Sequence, residues 1–398
     1  MIFPKIQTKT LAIKLKPAAE KMLKKQHPWI FSESIVKQNK EGNSGDKAII
    51  YDNRKNEFLA LGLFDPDSPI RIKIIQFDTP STLNADWFQN KIQQAYNKRK
   101  PLLETDTNSY RLLFGENDNF PGFIADVYDA VLVIKLYSAI WYPYLEDIIS
   151  SLKAITNCNA IVLRLSRNLQ KSKINYDLQD GQVIYGTLDN EIVVFLEHGV
   201  KFSANVIHGH KTGYFLDHRA NRKRVGELAK NKTLLDVFSY AGGFSVHALA
   251  KGATAVTSLD ISAQALQMAK ENANLNPNTG KHHIIKADAF KGLQDLIIQN
   301  KKYDIVVIDP PSFAKRQSEI DAAIHSYERL AKLGKQLVKK GGILVLASCS
   351  SRIQSGLFFE TVENQLPRHE ILNKTQHDID HPITFPEAAY LKCGYYQL

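Results

Sequence analysis

Five residues stand where chemistry could be done: Asp236, Asp260, Asp288, Asp309 and Cys349. Each closes or follows a strand-like run: Leu234 to Val237, Ala255 to Leu259, His283 to Lys286, Tyr303 to Ile308, and Ile343 to Ala347. In open parallel sheets, ligands bind outside the carboxyl ends of the strands. A single Asp after a strand is ordinarily a helix N-cap, but four in register, joined by a thiol, exceed that explanation. Asp260 lies 24 residues after Asp236, close to the offset of roughly 20 at which an acidic residue takes ribose hydroxyls. Gly242 and Gly243 let the backbone approach a ligand closely and start a helix. The stretch Phe238-Ser239-Tyr240-Ala241-Gly242-Gly243 lacks the G-x-G-x-x-G spacing, which argues against a pyrophosphate cradle. A nucleoside cofactor without a pyrophosphate, such as S-adenosylmethionine, is compatible.

The elements that must position these residues are legible around them. From about Asn190, apolar runs alternate with helical spacing (Ser262 to Asn274, and a long helical stretch ending at Lys340). Repeated βα units mean a mostly parallel, doubly wound α/β sheet, Rossmann-like in plan. The chain starts differently. Short apolar runs at Leu11–Ile13, Trp29–Phe31, Ala48–Tyr51, Phe58–Leu63 and Ile70–Ile75 are parted by turn residues. They predict a small β-barrel-like domain with one short basic helix near Ala18 to Gln26. Helical spacing over Asn84 to Lys98 and strands at Gly122–Val127, Ala130–Leu136 and Ala160–Leu165 predict a central α+β unit. Three domains are expected: 1–79, 80–189 and 190–398.

With 44% hydrophobic and 23% charged residues, the composition is that of a globular protein. No signal peptide or membrane span is expected, because the greasiest segment, Ala130 to Tyr144, is short and broken by Lys135. A cytoplasmic address is the expectation. Cys158, Cys349 and Cys393 are odd in number and far apart, suiting reduced thiols; neither a disulfide framework nor a metal site is expected. The formal charge is +10, and residues 1–80 hold fourteen Lys/Arg against nine Asp/Glu. Such an excess fits a solvated basic face or a polyanion partner such as RNA, which basic side chains bind with release of counterions.

The loop Asp236-Val237-Phe238-Ser239-Tyr240-Ala241-Gly242-Gly243-Phe244, then Asp309-Pro310-Pro311-Ser312-Phe313, then Ser348-Cys349-Ser350 together resemble the ribosomal RNA large subunit methyltransferase I family. The resemblance covers nearly the whole chain. His27-Pro28-Trp29-Ile30-Phe31-Ser32 with Gly62 and Ile70-Arg71 is similar to that family's N-terminal PUA RNA-binding domain. Gly115-Glu116-Asn117-Asp118 with Pro121-Gly122 is similar to its central domain, and Thr212 to Arg219 and Phe385 to Lys392 match further on.

That resemblance implies a class I methyltransferase using S-adenosylmethionine on 23S ribosomal RNA, away from membranes, with a homodimer compatible. It implies that Asp236 and the loop Phe238, Ser239, Tyr240, Ala241 and Gly242 wrap the methionine part of the cofactor. Asp260 would bind the ribose, with Ile261 on the adenine and Ser262 beside it, while Asp288 and Ala289 would lie against the adenine edge. Asp309 would face methyl donor and target base, and Phe215, Asp217 and Arg219 would close the carboxylate end. The implied reaction is methylation of cytosine C5. That carbon is too weakly nucleophilic unaided, and a thiolate adding to C6 makes the ring enamine-like. Cys349 is the implied nucleophile, although a free Cys is commonly a small buried hydrophobe. Ser312 replaces the second cysteine of another cytosine-C5 family, so a one-cysteine mechanism is implied, with the base for the C5 proton unassigned. A guanine-N methyltransferase, a non-catalytic RNA-binding assembly factor and a small-molecule methyltransferase are the alternatives.

Overall fold

The computed structural model describes residues 3–172 and 176–398. Two compact units divide the chain: residues 1–196 with 203–216 and 379–385, and residues 197–202 with 217–378 and 386–398.

The first unit opens with β1 (Thr10–Leu15), α1 (Pro17–Leu23), β2 (Trp29–Phe31), β3 (Ile35–Gln38), β4 (Lys47–Tyr51), β5 (Phe58–Phe64) and β6 (Ile70–Phe77). These six strands form one sheet in the order β2-β6-β5-β4-β1-β3. Inward side chains Leu11, Ile13, Leu15, Ala48, Ile50 and Ile72 are buried, as strand alternation requires. β3 was not anticipated, since only two of its four residues are apolar. Next come α2 (Ala85–Leu103), β7 (Ser109–Phe114), β8 (Phe123–Tyr128), β9 (Val131–Leu136), α3 (Leu145–Thr156), β10 (Ala160–Leu165), α4 (Arg167–Gln170) and β11 (Gln182–Gly186). Asn84 caps α2 by accepting from the Trp87 amide at 3.0 Å, and Trp87, Phe88, Ile92, Ala95, Arg99 and Leu102 form its buried face. The buried Arg99 guanidinium is paired bidentately with Asp118, at 2.9 and 2.5 Å. Sheet β11-β10-β9-β8-β7 backs these helices. A hairpin of β12 (Ile192–Glu197) and β13 (Val200–Asn205) follows.

The second unit contains α5 (Arg219–Leu228), β14 (Thr233–Val237), α6 (Gly243–Ala250), β15 (Ala255–Asp260), α7 (Ala263–Asn274), β16 (Lys281–Lys286), α8 (Ala289–Ile298) and β17 (Tyr303–Ile308). It ends with α9 (Ile320–Leu337), β18 (Val338–Ser348), α10 (Ser355–Glu363), β19 (Glu370–Thr375) and β20 (Lys392–Gln397). Its sheet runs β16-β15-β14-β17-β18-β20-β19. The first five are parallel, and β20 lies antiparallel to both neighbours. The chain leaves the middle of the sheet in one direction from β14 and in the other from β17, so the switch point falls between these two strands. Leu235, Val237, Val306, Ile308, Leu344 and Leu346 pack with Leu293, Tyr327, Leu330 and Phe358 as one core. The helix expected to reach Lys340 stops at Leu337; Val338 to Lys340 already belong to β18, pairing with β17 before a left-handed Gly341 (φ 74°). Lysines at 339 and 340 suit a helix end and an exposed strand start equally, so their composition did not separate the two. No helix among the described residues is long and apolar enough to cross a membrane.

Candidate active site

All five strand-end groups lie at the carboxyl ends of this sheet's strands because β16, β15, β14, β17 and β18 are parallel. Asp236, near the end of β14, is 1% exposed. Its Oδ2 accepts from the Ser245 amide (3.1 Å) and hydroxyl (2.7 Å), tying β14 to α6. Its Oδ1 is buried with no partner among the described residues. Burial pushes this carboxyl up to about 7, with Asp309 and Asp260 adding to the effect and the Ser245 donors opposing it.

The loop after β14 is held in a sparsely populated conformation. Phe238 (φ 63°) and Tyr240 (φ 47°) are left-handed non-glycine residues, each costing about 1–2 kcal/mol. Gly242 (φ 78°) also packs so closely on α7 that an added Cβ would sit 2.8 Å from Ala269 Cβ. The loop is fastened by the Tyr240 amide donating to Asp260 Oδ2 (2.9 Å), the Ser239 amide to Leu259 O (3.1 Å) and Asn272 Nδ2 to Ala241 O (3.0 Å). Ser239 Oγ is buried without a partner among the described residues.

Asp260, at the end of β15, also accepts from the Ser262 amide at 2.9 Å, while Ser262 Oγ caps α7 through the Ala265 amide. Ile261 between them is 68% exposed, an uncovered apolar platform. Asp288, exposed after β16, accepts from the Lys291 amide (3.1 Å) at the start of α8, where Ala289 is buried. Asp217 accepts from Tyr390 Oη at 2.9 Å. Arg219 is fully buried and paired with Asp378 at 3.0 Å. Phe215, 40% exposed, belongs to the first unit.

The group fits a cationic nucleoside cofactor. Two buried polar atoms without partners among the described residues (Asp236 Oδ1 and Ser239 Oγ), the Asp260 carboxylate and an exposed Ile261 offer what a sulfonium, an amino acid, a diol and an adenine each need.

Beyond β17 and β18, three side chains converge. Cys349 Sγ lies 3.8 Å from Asp309 Oδ1 and 3.6 Å from His218 Nε2, and His218 Nε2 lies 3.3 Å from Asp309 Oδ1. All three donor atoms fall within 4.8 Å of one another, a metal-competent grouping that the sequence did not lead us to expect. Burial pushes the Cys349 thiol well above its ordinary range, Asp309 and Asp217 push it further, and Lys392 pulls it down. Lys392 itself is depressed to about 8 by burial. Cys393 and Cys158 are both buried, Cys393 within β20. His218 is the residue that sequence reading missed: it lies at the start of α5, so no strand-end register flags it, and its only signal was its place in the motif Thr212 to Arg219.

Comparison with known proteins shows the family and the fold. The family described as S-adenosylmethionine-dependent methyltransferase matches residues 111–396, and a PUA-like domain matches residues 13–77. A ribosomal RNA large subunit methyltransferase of Deinococcus radiodurans is 41% identical over all of both chains. Ribosomal RNA large subunit methyltransferase I of Aliivibrio fischeri is 36% identical over 96% of this chain and 98% of its own. In fold, the chain resembles a methyltransferase crystallised with S-adenosylhomocysteine: TM-score 0.81, 23% identity, 98% of this chain and 100% of that one covered. A Streptococcus mutans S-adenosylmethionine-dependent methyltransferase gives 0.80, also at 23% identity, over 97% and 100%. The chain therefore belongs to the ribosomal RNA large subunit methyltransferase I family and is an S-adenosylmethionine-dependent methyltransferase with an N-terminal PUA-like domain.

Proposed function

We propose that this enzyme methylates C5 of a cytosine in 23S ribosomal RNA in the cytoplasm, through a covalent bond between Cys349 Sγ and cytosine C6. One observation carries the reading: a thiol at the end of β18 lies 3.8 Å from the carboxylate that follows β17, at the same sheet edge as the Asp236–Asp260 cradle. Methylation of an exocyclic guanine nitrogen needs no thiol there. When bound, S-adenosylmethionine supplies an electrophilic methyl group, held by Asp236, the loop 238–242, Asp260 and Ile261. Cys349 adds to C6, the displaced ring electrons make C5 nucleophilic, and Asp309 faces the base. A base inside a duplex is inaccessible, so the target cytosine is unpaired or flipped out. The basic region within residues 1–79 holds RNA phosphates, residues 80–189 form the central domain, and residues 190–398 carry the chemistry.

The test is nucleoside mass spectrometry of rRNA treated with enzyme and isotopically labelled cofactor. 5-Methylcytidine from wild type and none from Cys349→Ala supports the reading. Label on an N-methylguanosine, undiminished in Cys349→Ala, would replace it with the guanine-N alternative.

A further inference from the structure

The hydrogen bonds around Cys349 leave little freedom in where protons sit. His218 is buried, with Nε2 facing both the sulfur (3.6 Å) and Asp309 Oδ1 (3.3 Å). Its other nitrogen, Nδ1, lies 3.1 Å from Nδ2 of Asn221, also buried and one turn further along α5. The Asn221 amide is oriented from its far end, where Oδ1 accepts from Thr375 Oγ1 at 2.6 Å and from Tyr395 Oη at 2.9 Å. An amide NH2 only donates, so His218 Nδ1 must present its lone pair. The neutral ring then carries its single proton on Nε2, aimed at the sulfur and the carboxylate. An imidazole in that tautomer cannot accept the thiol proton through Nε2; it can donate to a sulfur that is becoming negative. Among the described residues, the acceptor in reach of the thiol is Asp309 Oδ1, at 3.8 Å.

We infer that His218 is a catalytic hydrogen-bond donor to the Cys349 sulfur, that Asn221 is a positioning residue fixing its tautomer, and that Asp309 receives the thiol proton. This rests on the cytosine-C5 reading. As the S–C6 bond forms, the S–H proton moves to Asp309 Oδ1 and the C5=C6 pair becomes available at C5. That pair forms the new C5–CH3 bond, and the old pair of the methyl carbon leaves with the donor sulfur. The C5 proton passes to water, its bonding pair restores C5=C6, and the S–C6 pair returns to Cys349, which recovers its proton from Asp309. One proton is lost overall, the one from C5.

The charges present make such a donor necessary. A thiolate here faces Asp309 and Asp217, and its nearby cation, Lys392, already spends Nζ on Ser350 O (2.5 Å) and Tyr390 O (3.0 Å). Around His218, burial and Arg222 oppose protonation while Asp309 and Asp217 favour it, with a net upward shift. A second ring proton would point at Asn221 Nδ2, so forming the imidazolium requires the amide to turn over and give up its contacts with Thr375 and Tyr395.

The experiment compares methyl transfer to cytosine-containing rRNA by wild type, His218→Gln, His218→Leu and Asn221→Asp, with cofactor affinity as the check on folding. Gln keeps an N–H donor but cannot take a proton. It should stay within about tenfold of wild type, whereas Leu should lose about 100-fold, the usual loss for one donor to a developing anion. Asp at 221 accepts from Nδ1, so the neutral ring loses its Nε2 proton. This variant should approach the Leu rate at alkaline pH and recover as acid supplies the imidazolium, a profile that a merely structural role would not produce. If His218→Gln is as inactive as His218→Leu while wild type makes 5-methylcytidine, His218 is a base and the inference is overturned. A Leu variant at the wild-type rate overturns it as well. No 5-methylcytidine from wild type instead removes the C5 reading itself, and this inference with it.

Discussion

Asp236→Asn is a substitution that should strengthen the fold while weakening the enzyme. Asp236 is 1% exposed and its carboxyl is pushed from an ordinary value of 3.8 up to about 7 by burial. The folded state binds this proton more tightly than the unfolded chain, so stability is lost as pH rises from about 4 to about 7. At 1.36 kcal/mol per pH unit, raising the carboxyl from 3.8 to about 7 corresponds to about 4 kcal/mol of burden above pH 7 and about 2 kcal/mol near pH 5.5. Asn carries no charge, and its Oδ1 can still accept from the Ser245 amide and hydroxyl that now hold Oδ2. The variant should therefore exceed wild type in stability, by a margin about 2 kcal/mol larger at pH 8 than at pH 5.5. For a unit of this size that difference is about 4–8 °C in Tm. Calorimetric melts of both proteins at the two pH values measure it. A margin that stays constant with pH would refute the buried-charge argument. Cofactor affinity should fall in the variant, because the buried Oδ1 without a partner is the atom a bound cation would neutralise. In wild type that affinity should weaken as pH drops below about 7, and in Asp236→Asn this dependence should disappear.

Asp260→Ala removes the carboxylate that holds the Tyr240 and Ser262 amides; calorimetry should show S-adenosylmethionine binding weakened at least tenfold, and unchanged affinity would remove the ribose assignment. Ile261→Asp places a charge on the exposed platform and should weaken cofactor binding with little change in Tm, since the residue is 68% exposed. Lys21, Lys25 and Lys37 are exposed on the basic N-terminal region. Changing all three to Glu should weaken RNA binding and flatten its salt dependence, whereas an unchanged salt slope would place the RNA contact elsewhere.

The alternating strand–helix pattern and the strand ends were legible because they are local. Apolar runs ending in Asp236, Asp260 and Asp309 announce parallel strands, and parallel register then brings their ends to one edge. Asp288 follows β16 at that same edge and also caps α8 by accepting from the Lys291 amide. The partners of Cys349 were not legible. His218 is 131 residues away in sequence, and the groups that orient its partner Asn221, Thr375 and Tyr395, are 154 and 174 residues from that amide. No spacing rule reaches across such separations. The start of β18 was misread because Lys339 and Lys340 fit either neighbour, and pairing with β17 decided it. That Asp236 is protonation-sensitive was likewise invisible, because burial is a property of the assembled sheet.

The central claim is the bond between Cys349 and the base. RNA carrying 5-fluorocytosine at the target position, incubated with enzyme and S-adenosylmethionine, should yield an adduct that survives denaturing electrophoresis, because fluorine cannot leave C5 as a proton does. Mass spectrometry of the digested adduct should place the nucleotide on Cys349, with Cys158→Ala and Cys393→Ala still trapping and Cys349→Ala not. An adduct on another residue, or full methylation of ordinary rRNA by Cys349→Ala, would contradict the account.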